Sequence, residues 1–197
     1  MNCMKCFMAF LIAGIAWCGS CPAQGKPGDA SSVPDPAYIN KVYFLQTDSL
    51  MPLEQVDAEM KQKSKALGFG GNQMGYFMDG ARSNMVVGGS AQKIFVVKMA
   101  GGMMGGDPTM MIHLYRFESV KGGRQSLIME QGGVFNRGKS KSNANEIALN
   151  VQKKKDDVFL LIPAENLKPG EYAFMNQMQM KSSGMRAVYV AQAFHIE

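Results

Sequence analysis

The sequence predicts an all-β fold on three grounds. Its apolar residues come in short segments rich in Val, Ile, Tyr and Phe. Glycine-bearing turns separate these segments at short intervals. Only one stretch, Leu53 to Leu67, shows an apolar face at helical spacing. Half-apolar ribbons joined by tight turns must each bury one face against another ribbon, which points to a sandwich or a barrel. An antiparallel β-sandwich is the expected form.

The elements follow in order. Ile39 to Gln46 (INKVYFLQ) is the first expected strand, dense in β-branched and aromatic residues. Leu53 to Leu67 (LEQVDAEMKQKSKAL) reads two ways. Positions 53, 56, 60 and 67 fit one helical face, while Val56, Ala58 and Met60 alternate with polar residues. Its neighbours favour a solvated edge strand, with Lys61, Lys63 and Lys65 on one face to blunt the edge. Short strands are expected at Tyr76 to Met78, Met85 to Val87 and Ile94 to Met99. A longer one, Thr109 to Glu118, begins after Asp107-Pro108. Lys121-Gly-Gly-Arg124 forms a hairpin turn into Ser126 to Glu130. Ile147 to Val151 pairs with Val158 to Ile162 across a Lys-Asp turn. Tyr172 to Met180 and Arg186 to Ile196 finish the chain, joined by Lys181-Ser-Ser-Gly184.

Leu167-Lys-Pro-Gly-Glu-Tyr-Ala-Phe174 carries the sharpest fold signal. It resembles the L-x-P-G-x-Y turn that enters the penultimate strand of fibronectin type III and other immunoglobulin-like domains. That resemblance implies an immunoglobulin-like antiparallel β-sandwich for residues 38–197. It also implies that Leu167 plugs the core and that the Tyr172 hydroxyl bonds back to upstream backbone, a tyrosine corner. The pattern is also similar to uncharacterised exported bacterial β-sandwich proteins that end in a P-G-E-Y-A-F corner, a likeness that implies an envelope location and no activity.

The N-terminus points out of the cytosol. Lys5 precedes an uncharged, largely apolar run, Phe7 to Trp17, and then Cys18-Gly-Ser-Cys-Pro-Ala23. This is the layout of a secretory signal peptide, and the run is shorter than the roughly 20 residues a membrane helix needs. Cleavage after Ala23 is expected, with residues 24–37 as a flexible linker rich in Pro, Gly, Ser and Asp. Gly19-Ser20-Cys21 also resembles a bacterial lipoprotein signal, which would leave Cys21 lipid-anchored. All four cysteines (Cys3, Cys6, Cys18, Cys21) lie in this leader, so soluble cleavage leaves a chain without disulfides. The formal charge of +5 is scattered, and Lys153-Lys-Lys155 runs directly into Asp156-Asp157. No basic stripe with interleaved aromatics suggests a nucleic-acid partner. The expected partner is another envelope protein or surface component, in the periplasm or at the cell surface, with no transmembrane segment in the mature chain.

Two glycine motifs invite a cofactor and do not fit one. Gly133 to Ser140 spells G-x-x-x-x-G-K-S, but Lys141-Ser-Asn-Ala-Asn145 cannot supply the helix whose N–H groups would face a phosphate. Gly68 to Gly75 (GFGGNQMG) has Gln73 at the third glycine position of a dinucleotide fingerprint and reads as a flexible connection. No cofactor and no catalytic, cofactor-binding or metal residue is therefore assigned, and the chain is not expected to be an enzyme. The catalytic rival would need His113 or His195 in a concave site beside an acid and a serine; Gly88-Gly-Ser90-Ala91 lacks the closing glycine of a nucleophile elbow.

Methionine is the compositional anomaly, with 18 residues of which only Met1, Met4 and Met8 lie in the leader. One cluster is Met99, Met103, Met104, Met110 and Met111 with His113; another is Met175, Met178 and Met180, followed by Met185. Thioethers are soft ligands suited to Cu(I), and methionine is equally a flexible core filler. Strand alternation would put Met178 and Met180 on one face and Met175 on the other. The expected function is a non-catalytic envelope binding or structural module; the alternative is a periplasmic, Met-rich Cu(I)-binding protein.

Overall fold

A computed structural model describes residues 33–64, 71–89, 92–100, 107–132, 140–142, 145–155, 157–183 and 186–197. The leader and most of the expected linker lie outside them. The described strands are β1 (Val42–Gln46), β2 (Ser49–Pro52), β3 (Glu54–Ser64), β4 (Gly71–Asp79), β5 (Val86–Val87), β6 (Phe95–Lys98), β7 (Ile112–Val120), β8 (Gly123–Gly132), β9 (Ser140–Ser142), β10 (Glu146–Ile147), β11 (Leu149–Lys153), β12 (Val158–Pro163), β13 (Gly170–Ser183) and β14 (Arg186–Ile196). One 3-10 turn, Pro108–Met110, precedes β7, with the Asp107 carboxylate accepting from the Thr109 N–H and hydroxyl. No helix among the described residues is long and apolar enough to cross a membrane.

The strands form two sheets. The smaller runs β11-β12-β6-β1-β2 and is antiparallel throughout. Strand β12 (VFLLIP) is apolar at every position and buried at every position, as a strand covered on both faces must be. The larger sheet runs β10-β7-β13-β14-β3-β4-β8-β9, with β5 added in parallel to the end of β14.

A further pairing, β7 with β8 through Glu118↔Gln125 and Val120↔Gly123, closes six strands of the larger sheet into the ring β7-β13-β14-β3-β4-β8. Side-chain distances require the same closure. Tyr115 on β7 and Tyr76 on β4 stand four strand spacings apart along the sheet, about 19 Å if it were flat. Their ring centroids are 5.6 Å apart. The Tyr76 ring also meets Tyr189 of β14 at 5.4 Å. A six-stranded ring is narrow, so its interior needs small residues beside large ones. Ala58, Ala173, Ala191 and Ala193 are fully buried and leave room for Tyr76, Met78, Tyr115, Phe117 and Met175. Closest approach falls where β4 meets β8: a side chain at Gly75 would run into the Ser126 carbonyl, and one at Gly123 into that of Met78.

The outer face of β7, β13 and β14 packs on the smaller sheet. Ile112, Leu114, Tyr172, Phe174, Phe194 and Ile196 meet Val42, Phe95, Val97, Phe159 and Leu161. Phe95 anchors this layer, 4.8 Å from the Phe174 ring and 4.9 Å from Phe194. One polar group is built into it. The Gln192 side-chain oxygen accepts from the Val42 N–H, and its amide nitrogen donates to the Asn40 carbonyl, so both ends of a fully buried amide are satisfied.

The expected strands recur with three differences. The 53–67 segment is a strand over Glu54–Ser64, but it lies between β14 and β4 rather than at an edge. Its alternation reflects the ring: Ala58 faces in, while Lys61 sits 3.4 Å over the outward Phe77 ring. Residues 71–75, read as part of a flexible connection, are the first half of β4. Met175 and Met180 share a face, because a bulge between them shifts the register from Met175↔Ala191 to Met180↔Tyr189. At the corner, the Tyr172 hydroxyl donates to the Lys168 carbonyl at 2.8 Å, and Leu167 packs on the inter-sheet core.

Candidate functional site

The two ends of the ring hold different chemistry. The first is built by inward positions near the end of β14 and the starts of β13, β3 and β8. Glu171 and His195 are directly paired residues of β13 and β14, and their side chains meet, Oε1 to Nδ1, at 2.6 Å. Arg124, 1% exposed, reaches from β8 and donates through Nη1 to Glu171 Oε2 at 2.8 Å. Its other terminal nitrogen is 3.7 Å from Glu54 on β3.

The segment between β4 and β5 closes this end. The Ser83 backbone N–H donates to Glu171 at 2.9 Å, and its hydroxyl donates to Glu54. Asn84 gives Glu54 two more hydrogen bonds, from backbone at 3.0 Å and from side chain at 2.9 Å. The His195 backbone N–H donates to the Met85 carbonyl, which holds the segment against β14. One carboxylate, Glu171, and the Arg124 guanidinium are thus buried, with Glu54 partly buried beside them, and each has charge-assisted partners, the condition under which buried charge is tolerated. Two buried polar atoms here, Arg124 Nε and Ser126 Oγ, have no hydrogen-bond partner.

An open depression of about 590 Å³ lies beside this network, lined in part by Arg82, Arg116, Ser119, Glu171 and His195. A carboxylate oxygen can only accept, so with Glu171 as the acceptor it is His195 Nδ1 that donates across their contact. An acid and an imidazole in a concave site are two of the three parts the catalytic rival requires. Of the serines here, Ser126 is fully buried within the ring and does not line the depression, and the other two are bonded elsewhere. Ser83 is buried and bonded to Glu54, and the Ser119 hydroxyl donates to the Ala81 carbonyl at 3.4 Å.

The opposite end is formed by the second half of β3, the first half of β4, the second half of β8 and the bulged part of β13. Met74 of β4 is paired directly with Met129 of β8. The neighbouring pair, Gln73 and Glu130, is hydrogen-bonded at 2.8 Å on the outer face, so both methionines face in. Met60 packs on the ring interior from β3. Met180 shares the face of Tyr189, which is also inside. Ion pairs of these strands lie outside: Lys61 with Glu59 at 3.4 Å and Lys181 with Asp57 at 2.8 Å. Tyr76, Tyr115 and Tyr189 form the floor. Burial pushes the Tyr76 hydroxyl up to about 12 and raises that of Tyr115, with the Glu146 carboxylate nearby adding to both.

The sequence-marked residues are divided between these places. His113 lies near the second end, with Nδ1 2.7 Å from Glu146 and Nε2 3.1 Å from Gln177. Met175 is buried in the ring, while Met178 and Met180 are exposed. Met99 and Met111 pack on the inter-sheet core, and Met110 is exposed. Met103, Met104, Met185, Ser90 and positions 133–139 lie outside the described residues. Among the described residues no three His, Cys, Asp or Glu side chains are grouped to hold a metal. Arg124, Glu171, Glu54, Met60, Met74 and Met129 were not marked from the sequence. Inward parity along β3, β4, β8 and β13 is the signal that groups them. Comparison with protein-family models, curated proteins and solved structures finds no match.

Proposed function

We propose that the protein is a non-catalytic binding or structural module of the bacterial envelope, exported by its leader and either soluble or anchored at Cys21. Its partner is another envelope protein or surface component. The observation that carries the non-catalytic part is the employment of Ser83. Buried and donating to Glu54, it braces a charge network instead of serving His195 as a nucleophile. Together Arg124, Glu171 and Glu54 serve as a polar plug that fixes the position of the 80–87 segment. The narrower immunoglobulin-like description rests on the Tyr172 corner, which the Lys168 hydrogen bond supports; the ring closure is an addition to that plan.

In-cell crosslinking followed by mass spectrometry tests the reading. Adducts to envelope proteins, on a chain that begins at Gln24 or at a lipidated Cys21, are expected. Adducts confined to cytosolic proteins, or residues 1–23 still attached to protein from its native cell, would overturn it.

A further inference from the structure

We infer that the methionine-bearing end of the ring is a binding site for a soft monovalent cation, Cu(I), held by the thioethers of Met60, Met74 and Met129 with Met180 facing them across the ring. The placement comes from the register. Met74 and Met129 are cross-strand partners, and such pairs on one face bring their side chains into contact. Met60 pairs with Tyr76, two residues along β4 from Met74, so it is their diagonal neighbour on the same face. In the ring β7-β13-β14-β3-β4-β8, strand β13 stands opposite β4, which sets Met180 over Met74. The tyrosine floor keeps the cation at the rim.

The chemistry follows from what these positions carry. Met129 and Met180 are 41% and 54% exposed. Core filling does not explain methionine at positions this exposed, whereas flexible thioethers also serve binding surfaces. The remaining inward positions nearby on these strands, Gln62, Asn72 and Gln131, are neutral amides. Lysine and carboxylate side chains of the same strands form pairs on the outer face. The thioethers form a neutral donor set, and the imidazole and carboxylate at this end, His113 and Glu146, are bonded to each other at 2.7 Å; such a set selects Cu(I) over divalent ions that prefer oxygen or imidazole. It forms no new bond but coordination, so no oxidant or reductant enters. The site does not depend on which envelope partner the module binds, so failure here would leave that reading standing.

The test is titration of the full chain with Cu(I) in competition with bicinchoninate, under reductant. A background carrying Cys3→Ser, Cys6→Ser, Cys18→Ser and Cys21→Ser removes competing thiolates. One equivalent bound, with a sulfur-only first shell by X-ray absorption, is expected. Met60→Leu with Met74→Leu and Met129→Leu, which keeps volume and apolarity, should weaken binding by about a hundredfold, the order seen when a metal site loses its supporting groups. Met110→Leu with Met178→Leu should leave affinity unchanged. Circular dichroism establishes that each variant is folded. Failure to compete with the chelator, equal affinity in the triple variant, equal loss in the Met110/Met178 pair, or Zn(II) bound as tightly would each overturn the proposal.

Discussion

At one end of the ring, the buried Arg124 and Glu171 and the partly buried Glu54 and His195 are tied to one another and to the 80–87 segment. At the other, Met60, Met74, Met129 and Met180 face the same interior without a hydrogen bond among their side chains. Charged groups inside a narrow barrel are tolerable only when each is partnered, so the first end must be rigid and covered. Thioethers need no partner, so the second end can leave Met129 and Met180 exposed. The fold itself accounts for the identity of the residues at the closed end. It does not account for exposed methionine at the other end, and a ligand is better sought there.

The comparison breaks hardest at Arg124. Arg124→Met leaves the buried Glu171 carboxylate and the partly buried Glu54 without their cation and should cost about 3–5 kcal/mol in urea unfolding. Met74→Leu at the methionine-bearing end, a swap that conserves volume, should cost less than about 1.5 kcal/mol. Equal costs would show that the two ends do not differ as described.

A smaller effect sharpens the comparison in alkali. Burial raises the folded-state values of Tyr76 and Tyr115 above those of the unfolded chain. The unfolded chain therefore loses tyrosine protons first. Stability from these residues is complete below about pH 10 and falls as pH rises through the folded-state range. Denaturant midpoints measured between pH 9 and 12 should decline, and Tyr76→Phe should flatten the decline. A midpoint that is constant in the wild type would contradict the burial of the tyrosine floor. The smallest expected effect is at Ser126, whose buried hydroxyl has no partner. Ser126→Ala should change stability by less than about 1 kcal/mol, in either direction, because no hydrogen bond is lost. A loss above 2 kcal/mol, on the order of a broken buried bond, would mean the hydroxyl is engaged.

Local features were legible in the sequence and distant ones were not. The Tyr172 corner, the β11–β12 pairing and the hairpin at Lys121 to Arg124 are written into a few adjacent residues, so turn chemistry exposed them. Ring closure depends on β3 meeting β14, partners more than a hundred residues apart, for which no local pattern speaks. This is why β3 read as an edge. Arg124 and Glu171 were hidden inside turn motifs, where each looked like punctuation. The bulge after Met175 reversed the alternation that strand parity assumes, so Met180 joined the ring interior against expectation.

The ring closure underlies both ends and can be measured directly. Nuclear Overhauser spectra of the folded protein should show cross-peaks between the ring protons of Tyr76 and Tyr115, whose centroids lie 5.6 Å apart. An open sheet would hold those rings roughly 19 Å apart. Cross-peaks from Tyr115 confined to β13 and β10 neighbours, with none to Tyr76, would contradict the account.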